Sequence, residues 1–312
     1  MAAAGLSVLA SVPAAAQERF PSKPIQVVTH ASAGGGTDTT VRMAIPDAQA
    51  ALGTDMFVAT MKGGGGRVAM NFAKLQGTDG HTLMLITPTH LFTMAQGNSP
   101  LSIDDIVGVA RATDDPMLIV TSPKSRFKSI DDLIGAGKDK PVKWGTTHIG
   151  GVDHVAAESF AQKAGTKIRA VPFEGGGELV TNLMGGNVEV ASLNVTEALE
   201  QVRHGDLVAL AVMSDERIDV LPDLPTTQEK GVDVAFSTVR GFVVLKGVPE
   251  ERVAILEKGL LDAMKQDRFQ AYLENGGMPK KSVAGRAAWD AQIRRMYADA
   301  SVMLQSLGLV KK

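Results

Sequence analysis

Three glycine loops carry the clearest chemical signal in the chain. Gly34-Gly35-Gly36-Thr37-Asp38 lies between a strand pattern and a helix pattern. Gly150-Gly151 opens a second helix pattern after Trp144-Gly-Thr-Thr-His148, and Gly175-Gly176-Gly177 opens a third after Val171-Pro-Phe-Glu174. A helix N-terminus presents unpaired N–H groups and the positive end of the dipole. Glycine lets a ligand approach that backbone closely. The chemistry on offer is anion binding, which needs no Arg or Lys. Any one glycine pair is equally at home in a tight turn. Three of them, each at a strand-to-helix junction, favour the anion reading.

Other motifs are mostly negative. The chain has no G-x-x-x-x-G-K-[ST], no G-x-S-x-G and no H-E-x-x-H. His148 and His154 do not have helical ligand spacing, and no metal site is expected. Gly64-Gly65-Gly66-Arg67-Val68-Ala69 fits G-x-G-x-x-A between a strand and a helix. The acidic residue that a dinucleotide site needs about 20 residues on is missing, because the next strand ends Leu85-Ile86-Thr87-Pro88. A nicotinamide-dependent enzyme using this loop is the alternative from another class.

Composition narrows the field further. The 32 Lys and Arg against 34 Asp and Glu, a net charge of −2, argue against nucleic acid or a charged membrane surface as partner. The absence of cysteine excludes disulfides, thiolate catalysis and thiolate metal sites. Aromatics at 4% are too few for a base-stacking or sugar platform. No stretch offers the ~20 apolar residues of a membrane span. Leu6 to Val12 is a short apolar run followed by Ala14-Ala15-Ala16, so residues 1–16 read as an export signal that lacks its positive start. A disordered alanine-rich arm is the other reading. A cysteine-free exported chain suits a bacterial periplasm.

The elements that must position these loops alternate along the chain. Strand patterns cover Ile25 to Thr29, Met56 to Met61, Thr82 to Ile86, Met117 to Thr121, Val142 to Thr146, Ile168 to Val171, Val188 to Leu193, Leu207 to Val212 and Val239 to Leu245. Helix patterns cover Thr39 to Leu52, where Pro46 demands a kink or an early stop. Others cover Arg67 to Gln76, Ser129 to Gly135, Val152 to Ala164, Glu178 to Met184 and Thr196 to His204. Past Pro249 the pattern is helical, with Ser282 the expected N-cap of a last helix through Trp289, Ile293, Met296, Ala300, Met303, Leu304 and Leu307. Such alternation means α/β with parallel sheets. The strands are too many for one small sheet, and Leu221 to Gly231 reads as a connector between two. Two α/β domains with a cleft between them follow, and Arg67 and Arg240 could reach that cleft.

From Phe20 to the C-terminus the chain resembles the periplasmic solute-binding proteins of tripartite tricarboxylate transporters, the TctC or Bug-type receptors. The resemblance rests on Arg19-Phe-Pro-Ser-Lys-Pro-Ile25, Gly34-Gly-Gly-Thr-Asp38 with Arg42, Asp79-Gly-His-Thr-Leu-Met-Leu85 and Gly150-Gly-Val-Asp-His154. It continues with Val171-Pro-Phe-Glu-Gly-Gly176, Leu183-Met-Gly-Gly-Asn-Val-Glu189 and Leu221-Pro-Asp-Leu-Pro-Thr226. It implies two doubly wound α/β domains of the type II periplasmic-binding-protein kind, residues 20–121 plus 237–312 and residues 122–236. Two hinge crossings would lie near Thr121 to Lys124 and Phe236 to Val239. It implies a non-enzymatic monomer without cofactor. That monomer captures a small di- or tricarboxylate and delivers it to membrane permease subunits; a ligand-sensing role beside a sensor kinase shares the same chemistry. The implied ligand residues are Ala33, Gly34, Gly35, Gly36, Thr37 and Asp38, with Thr87 and Thr89, from the first domain. The second domain supplies Thr146, Thr147, His148, Gly150, Gly151, His154, Glu174, Gly175, Gly176 and Asn194.

Overall fold

The computed structural model describes residues 19–31, 34–147, 149–173, 176–306 and 308–310. The export signal expected at 1–16, and Ala33, His148, Glu174, Gly175 and Leu307, lie outside the described residues.

The first half of the molecule is built on β1 (Ile25–Thr29), β2 (Met56–Thr60) and β3 (Thr82–Ile86), paired in parallel in the order β2-β1-β3. These runs are short and rich in β-branched and large apolar residues, as strands covered on both faces must be. Helices α1 (Gly36–Leu52), α8 (Glu250–Met264) and α9 (Asp267–Asn275) cover one face, where Val27, Leu83 and Leu85 meet Val41, Ala44, Leu256 and Phe269. Helices α2 (Arg67–Lys74), α3 (Pro88–Ala95) and α10 (Arg286–Ser306) cover the other, where Val28, Met84 and Ile86 meet Met70, Leu91 and Trp289. Each fully buried large apolar side chain contributes about 1.5–3 kcal/mol, so both faces are firmly held.

The second half repeats the plan. Strands β5 (Val142–Thr146), β6 (Ile168–Pro172) and β7 (Val190–Asn194) pair in parallel as β6-β5-β7. Helices α4 (Ile130–Asp139) and α5 (Val152–Ala164) cover one face through Leu133 and Phe160, packed on Trp144. Helices α6 (Gly176–Met184) and α7 (Val195–His204) cover the other through Leu183 and Leu199.

Two long strands join the halves. Strand β4 (Ile106–Thr121) runs antiparallel to β9 (Ser237–Leu245) from Ile106 to Pro116, then pairs with β7 and β8 (Val208–Met213) from Met117 onward. The sheets are therefore mixed rather than parallel as expected, because β9 runs antiparallel to β3 and β4 in the first half, and β4 runs on antiparallel to β7 and β8 in the second. The change of sheet falls at Pro116–Met117, ahead of the expected Thr121 to Lys124. The return falls at Phe236–Ser237, where Phe236 N–H donates to Met213 O at 2.9 Å.

Other differences have local causes. Strand β4 starts well before Met117, although Gly108, Ala110 and Ala112 carry little strand preference; Trp289 and the Phe242 strand bury it instead. Helix α1 runs through Pro46 without stopping, since its apolar side is fixed against α8. Ser282 does not cap α10: its hydroxyl donates to Asp114 O at 3.4 Å, and Ala284–Gly285 forms a short β10 on β4 before the helix starts. Leu221 to Gly231 does not run between sheets. Thr226 bridges to Val212 within the second half.

The halves also touch directly. Phe92 of α3, Val155 of α5, and Ala300 and Leu304 of α10 form one small apolar cluster. Among the described residues no helix is long and apolar enough to cross a membrane.

Candidate functional site

Helices α1, α3, α5, α6 and α7 each begin just after the carboxyl end of a parallel strand. This is the edge of an open sheet at which ligands are commonly held. The site is built from those starts.

At the first, Gly34 adopts a left-handed φ of 79°, and its N–H donates to Asp38 Oδ2 at 2.9 Å. Arg42 Nε donates to the same oxygen at 2.7 Å. Burial opposes ionisation of Asp38, but these two bonds prevail and lower its pKa. The Asp38 carboxylate thus shapes the loop, while Gly35, Gly36 and Thr37 supply the helix start. A side chain at Gly36 would displace Arg240: a Cβ there would lie 2.7 Å from its Nη2.

At the second, Thr87 is the N-cap of α3, and its N–H donates to His90 Nδ1 at 3.1 Å. Burial holds His90 well below its ordinary pKa, and the adjacent His30 ring, 4.3 Å away centre to centre, adds to this. Thr89 is buried one residue earlier.

In the second half, Thr146 ends β5 fully buried, and its hydroxyl has no hydrogen-bond partner among the described residues. Asp153 turns back to accept from the Thr147 N–H and from Thr147 Oγ1, the latter at 3.1 Å. Gly150, at φ 81°, donates its N–H to His154 Nδ1 at 3.0 Å. His154 Nε2 lies 3.6 Å from Glu158. His154 is therefore committed to its own loop, and Gly151 caps α5 with extended backbone.

Asn194 does not point away from the protein. Its Nδ2 donates to Asp115 O at 2.8 Å and its Oδ1 accepts from Thr238 at 2.9 Å, which ties α7 to both crossing strands. Gly176 opens α6 with its Cα against Glu197, whose Oε1 lies 2.8 Å from where a Cβ would be.

Two groups, Asp115 and Glu197, were not legible as site residues, and Arg240 was legible only as a side chain that could reach the cleft. Arg240 is 3% exposed and donates from Nη1 to Asp115 Oδ2 at 3.1 Å. Asp115 is fully buried and also accepts from the Thr196 hydroxyl and N–H. Burial raises the Asp115 pKa against the pull of Arg240 and Thr196. Glu197 is exposed to solvent yet surrounded by protein, as a side chain on a cleft wall is. That enclosure pushes its carboxyl up to about 7, with Asp115 and Asp153 adding to it, while the Asn194 N–H and Arg240 oppose. Only the Asn194-x-x-Glu197 capping spacing signalled it in the sequence.

A cavity of about 320 Å³ opens between the halves, lined by Gly64, Gly65, Arg67, Thr93, Gln96 and Asn98 on one side and Ile149 and Gly150 on the other. The Gly64 loop is explained by packing. A Cβ on Gly65 would meet Thr93 Oγ1 at 2.6 Å and one on Gly66 would meet the His90 ring at 2.5 Å. The Cβ positions of those two glycines face α3. Among the described residues no cluster of His, Asp and Glu is arranged to hold a metal.

This architecture has known counterparts. The family described as tripartite tricarboxylate transporter family receptor matches residues 40–301. Protein BugT of Bordetella pertussis is 29% identical over 271 residues, covering 84% of this chain and 83% of its own. A TctC solute binding protein from Polaromonas, solved without ligand, is 26% identical, with a TM-score of 0.79 over 92% of this chain and 100% of its own. MatC from Rhodopseudomonas palustris, solved with bound malate, shares the fold at 23% identity, with a TM-score of 0.80 over 91% of this chain and 100% of its own.

Proposed function

The chain belongs to the tripartite tricarboxylate transporter receptor family, and from that premise we propose that it captures a small carboxylate between its two halves in the periplasm. It hands this ligand to the membrane permease subunits of such a transporter. The halves act as two domains, residues 20–116 with 237–312 and residues 117–236, hinged where β4 changes sheets at Pro116–Met117 and where the chain returns at Phe236–Ser237. The ligand is held by binding, and no step of covalent chemistry is assigned to the site.

The observation that carries this reading is the gathering of helix starts from both halves at the carboxyl ends of their parallel strands. N–H groups at Gly35, Gly36 and Thr37 face an anion with the α1 dipole behind them. Thr87 and Thr89 flank them. From the other half come the buried, unpartnered Thr146 hydroxyl and the Gly150-Gly151 backbone. A buried hydroxyl without a partner is costly, and a ligand oxygen would satisfy it. The malate bound by MatC supports the carboxylate class.

A thermal-shift panel of mono-, di- and tricarboxylates tests the proposal. A ligand at 100 times its dissociation constant adds about 2.7 kcal/mol of stability, which moves the melting temperature by several degrees. Stabilisation by a nicotinamide dinucleotide and by no carboxylate would overturn it.

A further inference from the structure

We propose that Arg240 is the cationic anchor of the site, its Nε–Nη2 edge taking a ligand carboxylate against the N-terminus of α1. The inference rests on the receptor reading above and names the side chain that reads the anion.

The placement follows from register. Gly241 of β9 pairs with Ile86, the last residue of β3, so Arg240 emerges at the carboxyl edge of the first sheet. It is two residues from Phe242, which belongs to the apolar layer shared with α1, and its guanidinium reaches the first turn of that helix. There Nη2 comes so close to Gly36 that a Cβ at that position would lie 2.7 Å from it and push the guanidinium aside.

The hydrogen bonding is lopsided. Both bonds that Arg240 makes leave from Nη1, to Asp115 Oδ2 at 3.1 Å and to Thr238 O at 3.5 Å. Nε is buried and has no partner among the described residues. A guanidinium is a rigid fork whose Nε and Nη2 hydrogens are parallel, spaced to grip both oxygens of a carboxylate. An arginine that served only to neutralise Asp115 would have no need to bury a bare Nε beside seventeen residues of helix dipole. Asp115 is itself gripped by the hydroxyl and N–H of Thr196 at the start of α7. Asp115, which aims the fork, is thereby held from the second half by Thr196.

The site therefore selects a planar, two-oxygen anion. The acids that feel its charge are Asp115 and Glu197 on α7, with Tyr272 also beside the guanidinium.

The test is titration calorimetry with succinate and malate on the full chain. Arg240→Lys keeps the charge but loses the fork. The double variant Asp115→Asn/Arg240→Gln removes both buried charges and keeps size and polarity. At least a tenfold loss of affinity is expected for the first and at least fiftyfold for the second. In the wild type, the Arg240 Nε–H resonance, assigned by its absence in Arg240→Lys, should shift on saturation with ligand. Unchanged affinity in the double variant, or an unmoved resonance while the wild type binds, would overturn the anchor and leave the receptor reading standing. A wild type that binds none of these carboxylates would overturn both.

Discussion

Glu197→Gln isolates a cleft-wall carboxyl whose charge changes near neutral pH. In the folded chain this group titrates near 7, against 4.5 for an ordinary glutamate. Its folded pKa is raised, so between these values the native state retains a proton that the unfolded chain has released. Ligand-free stability should therefore fall as pH rises from about 4.5 to about 7. Because the side chain meets solvent, screening limits this to about 1 kcal/mol. For binding the consequence is larger. At pH 6 the carboxyl is mostly neutral and can donate its proton; at pH 8 it is mostly anionic. A ligand carboxylate within about 6 Å would then be repelled by ~0.7 kcal/mol if water fills the gap, and by ~2.8 kcal/mol at an effective dielectric of 20. Because a single group that titrates near 7 can lose at most about one proton over this range, affinity for a ligand that stays fully ionised should drop about twofold to tenfold from pH 6 to pH 8. Calorimetric titrations at constant ionic strength would measure this, and Glu197→Gln should flatten the slope and stay near the pH 6 affinity. A flat wild-type profile, or the same slope in the variant, would refute the reasoning.

Three more outcomes are expected. Gly36→Ala should weaken carboxylate binding at least tenfold, because its Cβ displaces the Arg240 guanidinium. An alanine that raised stability by the ~1 kcal/mol of its helix preference and left affinity intact would contradict this. Gly241→Ala places a Cβ 2.3 Å from the buried Trp289 ring, and chemical denaturation should show a loss of about 1–3 kcal/mol. Small-angle scattering should show compaction when a saturating carboxylate draws the halves together about β4 and β9; an unchanged profile with a ligand that stabilises the protein would count against hinge closure.

Much of this was legible because local and tertiary signals agree. The runs IQVVT and TLMLI are apolar and bounded by breakers, so β1 and β3 stand where their residues say. Gly34 to Gly36 needs glycine for two reasons visible in different ways: a left-handed φ at Gly34 and a close approach by Arg240 at Gly36. The first belongs to the sequence pattern, and the second exists only in the fold. Helix α3 was missed because it is buried on nearly every side, which erases the amphipathic period. The first part of β4 was missed because Gly108, Ala110 and Ala112 break up the run of Ile106, Val107 and Val109 and polar residues follow to Asp115, so no continuous strand pattern shows. Asp115 and Arg240 lie 125 residues apart. No spacing rule links them; only the antiparallel pairing of β4 with β9 brings them together. His154 shows the reverse: its position at a helix start suggested a ligand, but its ring nitrogen was already engaged by Gly150.

A crystal structure grown with the most stabilising carboxylate of the panel tests the central claim most directly. The account predicts one ligand carboxylate between the halves, on the N–H groups of Gly35, Gly36 and Thr37 and within hydrogen-bond distance of Arg240 Nε. A carboxylate bound elsewhere, with Arg240 Nε still bare, would contradict it.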